Sequence, residues 1–143
     1  MPFLTSGIIL TTEIVGKDVI SNTASNIYKS ISGINEFNLS HVNELLEEID
    51  IYKKIEIVES LFTNFNYDIT KKTLTLALNN LHEISDKING ELEIIKKDIE
   101  YNKTLYFSNL RANKYNKNLE NLKKHTKILD QRLDLFIKIS NYK

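Results

Sequence analysis

Cysteine is absent from the chain, and proline occurs once, at position 2. Glycine occurs only four times in 143 residues, and tryptophan not at all. Each shortage excludes something. Without cysteine there is no disulfide framework and no thiolate metal site, which suits a reducing compartment. With so little glycine and proline, a β-rich domain would lack the residues that make its tight turns. Long helices need few such breaks, so the scarcity predicts an all-α chain. Long apolar runs are missing too: the charge-free stretches 2–12 and 19–28 are too short to span a bilayer. The start, MPFLTSGIIL, has no basic n-region, so no secretory signal is read and a cytoplasmic location is expected.

What is present suffices for one domain over residues 1–143. Apolar residues make up 41%, which excludes wholesale disorder and allows a core without covalent staples. Lysine outnumbers arginine 17 to 2, and Ile, Asn and Lys together make 54 residues. That bias fits A/T-rich codons and lowers the weight of any single lysine or asparagine. The net charge is zero but unevenly placed: residues 1–66 hold 4 Lys against 9 Asp/Glu, and residues 67–143 hold 15 Lys/Arg against 10 Asp/Glu. Such halves either pack against each other within one molecule, join copies head to tail, or offer a basic face to an acidic partner.

Apolar periodicity predicts an up-and-down bundle of four to five helices. The first spans about 5–33, capped by Thr5 or Ser6. Its stripe is Ile9, Gly16, Ile20, Ala24, Ile27, Ile31 and Ile34, and Gly33 is its expected stop. Ser40 is the expected cap of a second helix, about 40–49. The spacing then slips through Ile49, Tyr52, Ile55 and Val58, so residues 51–65 read as a kinked continuation or a fresh helix begun at Asp50. After Asn66-Tyr67-Asp68, a stripe of Leu74, Ala77, Leu81, Ile84, Ile88, Leu92, Ile95 and Ile99 predicts one long helix over about 69–102, interrupted only by Gly90. A tight contact or a bend would account for that glycine. Residues 103–114 break the pattern, with Leu105, Tyr106, Phe107 and Leu110 plugging one end of the core or forming an exposed docking site. The last helix, about 115–140, follows Leu119, Leu122, Leu129, Leu133 and Phe136. Ile128, Leu135 and Ile139 widen the stripe, so its C-terminal end is expected to be buried on more than one side.

Catalytic chemistry finds little to build on. His41, His82 and His125 are far apart, and none follows an acidic residue by three, so neither di-iron nor His-Glu-x-x-His patterns exist. No glycine-rich phosphate loop is formed by Gly7, Gly16, Gly33 and Gly90. The carboxylates read as solvated charges on polar faces. The expectation is a non-enzyme without catalytic or metal residues, cofactor or small-molecule substrate.

Two features are candidate surfaces. Residues 101–127 gather Lys103, Arg111, Lys114, Lys117, Lys123, Lys124 and Lys127 against Glu120 alone, with Tyr101, Tyr106, Phe107 and Tyr115 interleaved. Phosphate attraction and base stacking use these residue types, as would contact with anionic lipid or an acidic helix. The first helix is poor in charge and rich in small residues. Gly7, Gly16, Ile20, Ala24, Ile27 and Ile31 form a face that is either the most buried of the bundle or one released for self-association or membrane contact.

The runs LLEEIDIYKKIEIVESLF (45–62) and LHEISDKINGELEIIKKDIEYNKTLYFSNLR (81–111) resemble small uncharacterised helical proteins of giant DNA viruses. The order of parts is also similar to the four-helix membrane-permeabilising domains of fungal HeLo-type proteins and the necroptosis pseudokinase. The first resemblance implies a viral origin and no known activity. The second implies oligomerisation and lipid targeting. The leading expectation is a helical interaction or assembly protein that binds a protein partner or itself. A membrane-active bundle is the alternative, and a nucleic-acid accessory protein the third.

Overall fold

Apolar side chains recurring every three to four positions become five helices in the computed structural model, which describes residues 16–64, 72–103 and 115–141. They are α1 (Lys17–Glu36), α2 (Ser40–Ile49), α3 (Ile51–Asn64), α4 (Lys72–Lys103) and α5 (Asn116–Asn141). No strand occurs among the described residues. The expected caps Thr5 and Ser6, the connection Asn66-Tyr67-Asp68 and the apolar plug at 105–110 lie outside them.

Among the described residues the chain turns at two left-handed residues, neither of them glycine: Asn38 at φ 55° and Asp50 at φ 53°. Asn and Asp visit this region more readily than other side-chain-bearing residues, which lets the chain break helices with little glycine. Gly33, the expected stop of the first helix, is passed over. α1 continues to Glu36, and the amides of Phe37 and Asn38 bond to the carbonyls of Ile34 and Asn35, both at 3.1 Å. A Cβ at Gly33 would come within 2.7 Å of Lys96 Cε on α4, the far end of a flexible side chain that can shift aside. Ser40 is not the N-cap either. Extended Leu39 occupies that position, and its carbonyl accepts from Val42 and Asn43 at 3.1 and 2.9 Å.

Asp50 resolves the slip in spacing. Its amide closes α2 on Leu46 O at 3.1 Å, and its carbonyl starts α3 by accepting from Lys54 at 3.2 Å. The left-handed residue resets the helical phase. The α3 stripe therefore runs through buried Ile51, Ile55, Val58 and Phe62, while Tyr52, expected inward, stands 46% exposed.

Cross-helix contacts give the topology. Thr23 meets His82 and Gly33 meets Lys96, so α1 and α4 run parallel. Glu83 meets Arg132 and Glu91 meets Asn118, so α4 and α5 run antiparallel. His41 meets Tyr115 and Lys54 meets Asp130, so the broken rod α2–α3 runs alongside α5. The result is an up-down-up-down bundle of four rods, the second one broken at Asp50. The core is one contiguous cluster that includes Ile27, Ile34, Phe62, Leu81, Ile88, Leu92, Ile95, Leu122, Leu129 and Phe136. Each of these side chains contributes about 1.5–3 kcal/mol when fully buried. The C-terminal end of α5 departs from expectation. Phe136 is buried and Ile128 and Ile139 of the widened stripe are half-buried against the core, but Leu135 and the neighbouring Ile137 are 52% and 48% exposed.

Gly90 has neither a close contact nor a positive φ to account for it: a Cβ added there meets nothing within 4 Å. Gly90→Ala is therefore expected to stabilise the fold by up to ~1 kcal/mol through helix propensity alone. Thermal melting should show a rise of about 4 °C. A fall would mean that the long helix needs the glycine.

Candidate interaction surfaces

The bundle separates residues that sequence proximity had grouped. Of the basic tract, Lys103 ends α4, while Arg111 and Lys114 lie outside the described residues. Lys117, Lys123, Lys124 and Lys127 are all exposed on α5. At 3.6 residues per turn they do not share one face. Lys117 and Lys124 lie seven apart on the outward side, where Lys127 and Lys138 extend the line. Lys123 is turned toward α2 and lines a cleft of about 360 Å³ with His41, Glu44, Glu48 and Glu120. A lysine of the basic second half thus stands beside acids of the first half there, whereas the pair of Lys54 Nζ and Asp130 Oδ1, 2.9 Å apart, joins the two halves in the opposite sense.

The candidate face of α1 is turned inward. Ile20, Ala24, Ile27 and Ile31 are each 8% exposed or less, Gly16 lies exposed at the start of the helix, and Gly7 is outside the described residues. In this fold that face is occupied by α3 and α4.

The three histidines stay apart, one at each of three helix interfaces. His41 Nε2 is 3.3 Å from Tyr115 Oη between α2 and α5, and His82 Nε2 is 3.5 Å from Thr23 Oγ1 between α4 and α1. His125 Nε2 is 3.9 Å from Glu91 Oε1 between α5 and α4. Among the described residues no three His, Cys, Asp or Glu side chains gather as a metal site.

One carboxylate contradicts the expectation that all are solvated. Glu91 has a side chain only 15% exposed. It accepts from Asn118 Nδ2 at 2.8 Å and Asn121 Nδ2 at 3.3 Å. Together with His125, these residues occupy positions 118, 121 and 125, one stripe of α5 at helical spacing. That spacing was the available signal, but it names a partner only once α4 is known to lie opposite. The cluster ties α4 to α5.

A second cleft, about 320 Å³, lies between α1 and α3 and includes Tyr28, Tyr52 and Glu59. The two tyrosine rings are 4.6 Å apart, and Tyr28 Oη donates to Glu59 Oε1 at 3.2 Å. Burial, and then the adjacent Glu59 carboxylate, raises the Tyr28 pKa well above the ordinary 10.0. Burial raises that of Tyr115 as well. A phenol so held is a poor nucleophile. It also sets a pH dependence, because a raised pKa in the folded state means stability that is complete below pH 10 and falls as pH rises beyond it. Tyr28→Phe is expected to flatten that alkaline decline, as read from denaturant midpoints on either side of pH 10. An unchanged slope would mean that the phenol ionises freely in the folded chain.

Comparison with known proteins finds an uncharacterised protein of Acanthamoeba polyphaga mimivirus. It is 25% identical over 151 aligned positions, spanning 86% of this chain and 73% of that protein. No family model matches, and no solved structure matches. The likeness to giant-virus proteins therefore has a counterpart over most of the chain. The architectural likeness to HeLo-type and pseudokinase domains gains no support.

Proposed function

We propose that this chain is a non-catalytic helical interaction protein of viral origin that associates with copies of itself. The support is the distribution of apolar side chains. With the core filled, Leu76, Ile94 and Tyr101 of α4 and Leu135 of α5 remain 46–52% exposed, on two helices that pack side by side. Large apolar groups left half in water on neighbouring helices favour contact with another surface. Half-buried polar groups favour the same reading, since Glu91, His82 and Tyr28 each tie one helix to another. Sedimentation equilibrium over a wide concentration range tests it. The expected result is a mass that rises with concentration, and a monomer throughout would reject self-association.

A second reading, nucleic-acid contact through α5, is favoured by the outward line of Lys117, Lys124, Lys127 and Lys138, although Glu120 and Asp134 interrupt it. Such binding would weaken steeply with salt, by nearly one power of concentration for each phosphate neutralised. Lys124→Glu with Lys127→Glu should then abolish it. No retention of DNA or RNA at low salt would remove this reading.

A further inference from the structure

The cleft between α1 and α3 sets an aromatic wall beside an acid that has no cation. Tyr28 and Tyr52, with ring centroids 4.6 Å apart, form the wall, and Tyr52 keeps 46% of its surface in water. The electron-rich face of such a ring attracts a positive charge placed over it. Half-buried Glu59 stands next to the rings, its Oε1 accepting from the Tyr28 hydroxyl at 3.2 Å. Among the described residues no lysine, arginine or histidine nitrogen comes within ion-pair distance of Glu59. Glu56 shares the cleft but has Lys53 Nζ at 3.5 Å. The α1 wall adds no positive charge, since Ser25 and Ser32 flank Tyr28 one turn to either side.

A lysine side chain fits this chemistry. Its four-carbon stem lies along an aromatic ring while the ammonium, with three donors, reaches beyond the ring to a carboxylate. The chain carries such lysines on the outward ridge of α5. Lys117, Lys124, Lys127 and Lys138 are exposed there, and among the described residues none has a carboxylate within ion-pair distance. Leu135 falls on the same side as Lys124 at 3.6 residues per turn, and it is 52% exposed. Lys124 and Lys127 are three apart and therefore neighbours on the helix surface, as Glu56 and Glu59 are. One ammonium placed at Glu59 thus sets the other beside Glu56. Cleft and ridge do not meet within one molecule, because α1 packs on α3 and α4 while α5 packs on α4 and α2.

We propose that the Tyr28–Tyr52 cleft of one copy receives Lys124 or Lys127 from the α5 ridge of a second copy, with Glu59 as the counter-charge. This deepens the self-association reading and rests on it. The two surfaces differ, so every contact leaves one cleft and one ridge unfilled, and assembly continues beyond two chains. Exposed charges are screened by salt, so assembly weakens as ionic strength rises.

Sedimentation equilibrium of full-length variants tests the pairing. Charges are neutralised rather than reversed, so that no new attraction arises: Tyr52→Leu with Glu59→Gln in the cleft, and Lys124→Gln with Lys127→Gln on the ridge. Glu59→Gln retains an acceptor for the Tyr28 hydroxyl, and Tyr52 and both lysines are exposed, so both double variants keep the fold. Each alone is expected to associate at least tenfold more weakly than the unchanged chain. Mixed in equal amounts, they are expected to recover that affinity but to stop at a 1:1 pair, because the mixture holds intact clefts on one variant and intact ridges on the other. If either double variant associates as the unchanged chain does, or if mixing restores nothing, this inference is overturned and self-association stands on another surface. A monomer at every concentration overturns both.

Discussion

Replacing Ile95 with Asp is expected to unfold the protein, and the same replacement at its neighbour Ile94 is expected to leave it folded. The two side chains are adjacent in sequence and chemically identical, but Ile95 is fully buried and Ile94 is 46% exposed. An aspartate at 95 would have to give up its hydration inside an apolar cluster with no partner, or remain protonated there. Either route, added to the lost isoleucine burial, costs more than about 4 kcal/mol. A domain of this size has only about 5–15 kcal/mol to lose. At 94 the carboxylate stays in water, and the change should fall within ~1 kcal/mol. Far-UV circular dichroism and a thermal melt of both variants check this. A folded Ile95→Asp with a normal melting transition would mean that the α4 phase is wrong by one residue. Ile94→Asp should also reduce self-association, since it removes a large apolar group that α4 leaves half in water.

That contrast shows how much of the fold periodicity alone could supply. Ile95 and Ile99 belong to the stripe that predicts the long helix, and burial of the same stripe follows directly from 3.6 residues per turn. What periodicity could not supply is where helices stop when the stopping residue is not glycine. Gly33 looked like a terminus because glycine usually marks one, but Asn38 and Asp50 adopt the left-handed turn instead. The phase reset at Asp50 then moved Ile51 inward and Tyr52 outward, which no stripe drawn through the break could anticipate. Leu135 was misplaced for a related reason. A widened apolar stripe means burial only if a second neighbour exists, and neighbours are a property of packing rather than of sequence. The four described lysines of the basic tract on α5 divide between two faces. Lysines close in sequence diverge on a helix, so Lys123 lines a cleft with Glu44 and Glu48 while Lys124 faces outward. The Glu91 cluster needed both helices at once.

Ile27→Ala tests whether α1 belongs to the core or waits to leave it. Ile27 is fully buried, and the seam around it, lined by Ile20, Ala24, Ile55, Val58 and Ser85, leaves about 10 Å³ of free space, no more than one water would occupy. A seam that tight cannot collapse further around a deletion, so the truncation is expected to cost about 2–5 kcal/mol. The whole buried face of α1, four isoleucines at Ile20, Ile27, Ile31 and Ile34, contributes roughly 6–12 kcal/mol to the folded state. Moving α1 into lipid would therefore forfeit about as much as the domain's total stability, and the bilayer would have to return it. The expected outcome is a lower denaturant midpoint for Ile27→Ala with no gain in co-sedimentation with anionic vesicles. If vesicle binding instead rose tenfold or more as stability fell, loosening the seam would have freed a lipid-seeking helix. The small-residue face of α1 would then be a stored membrane element rather than a wall of the core.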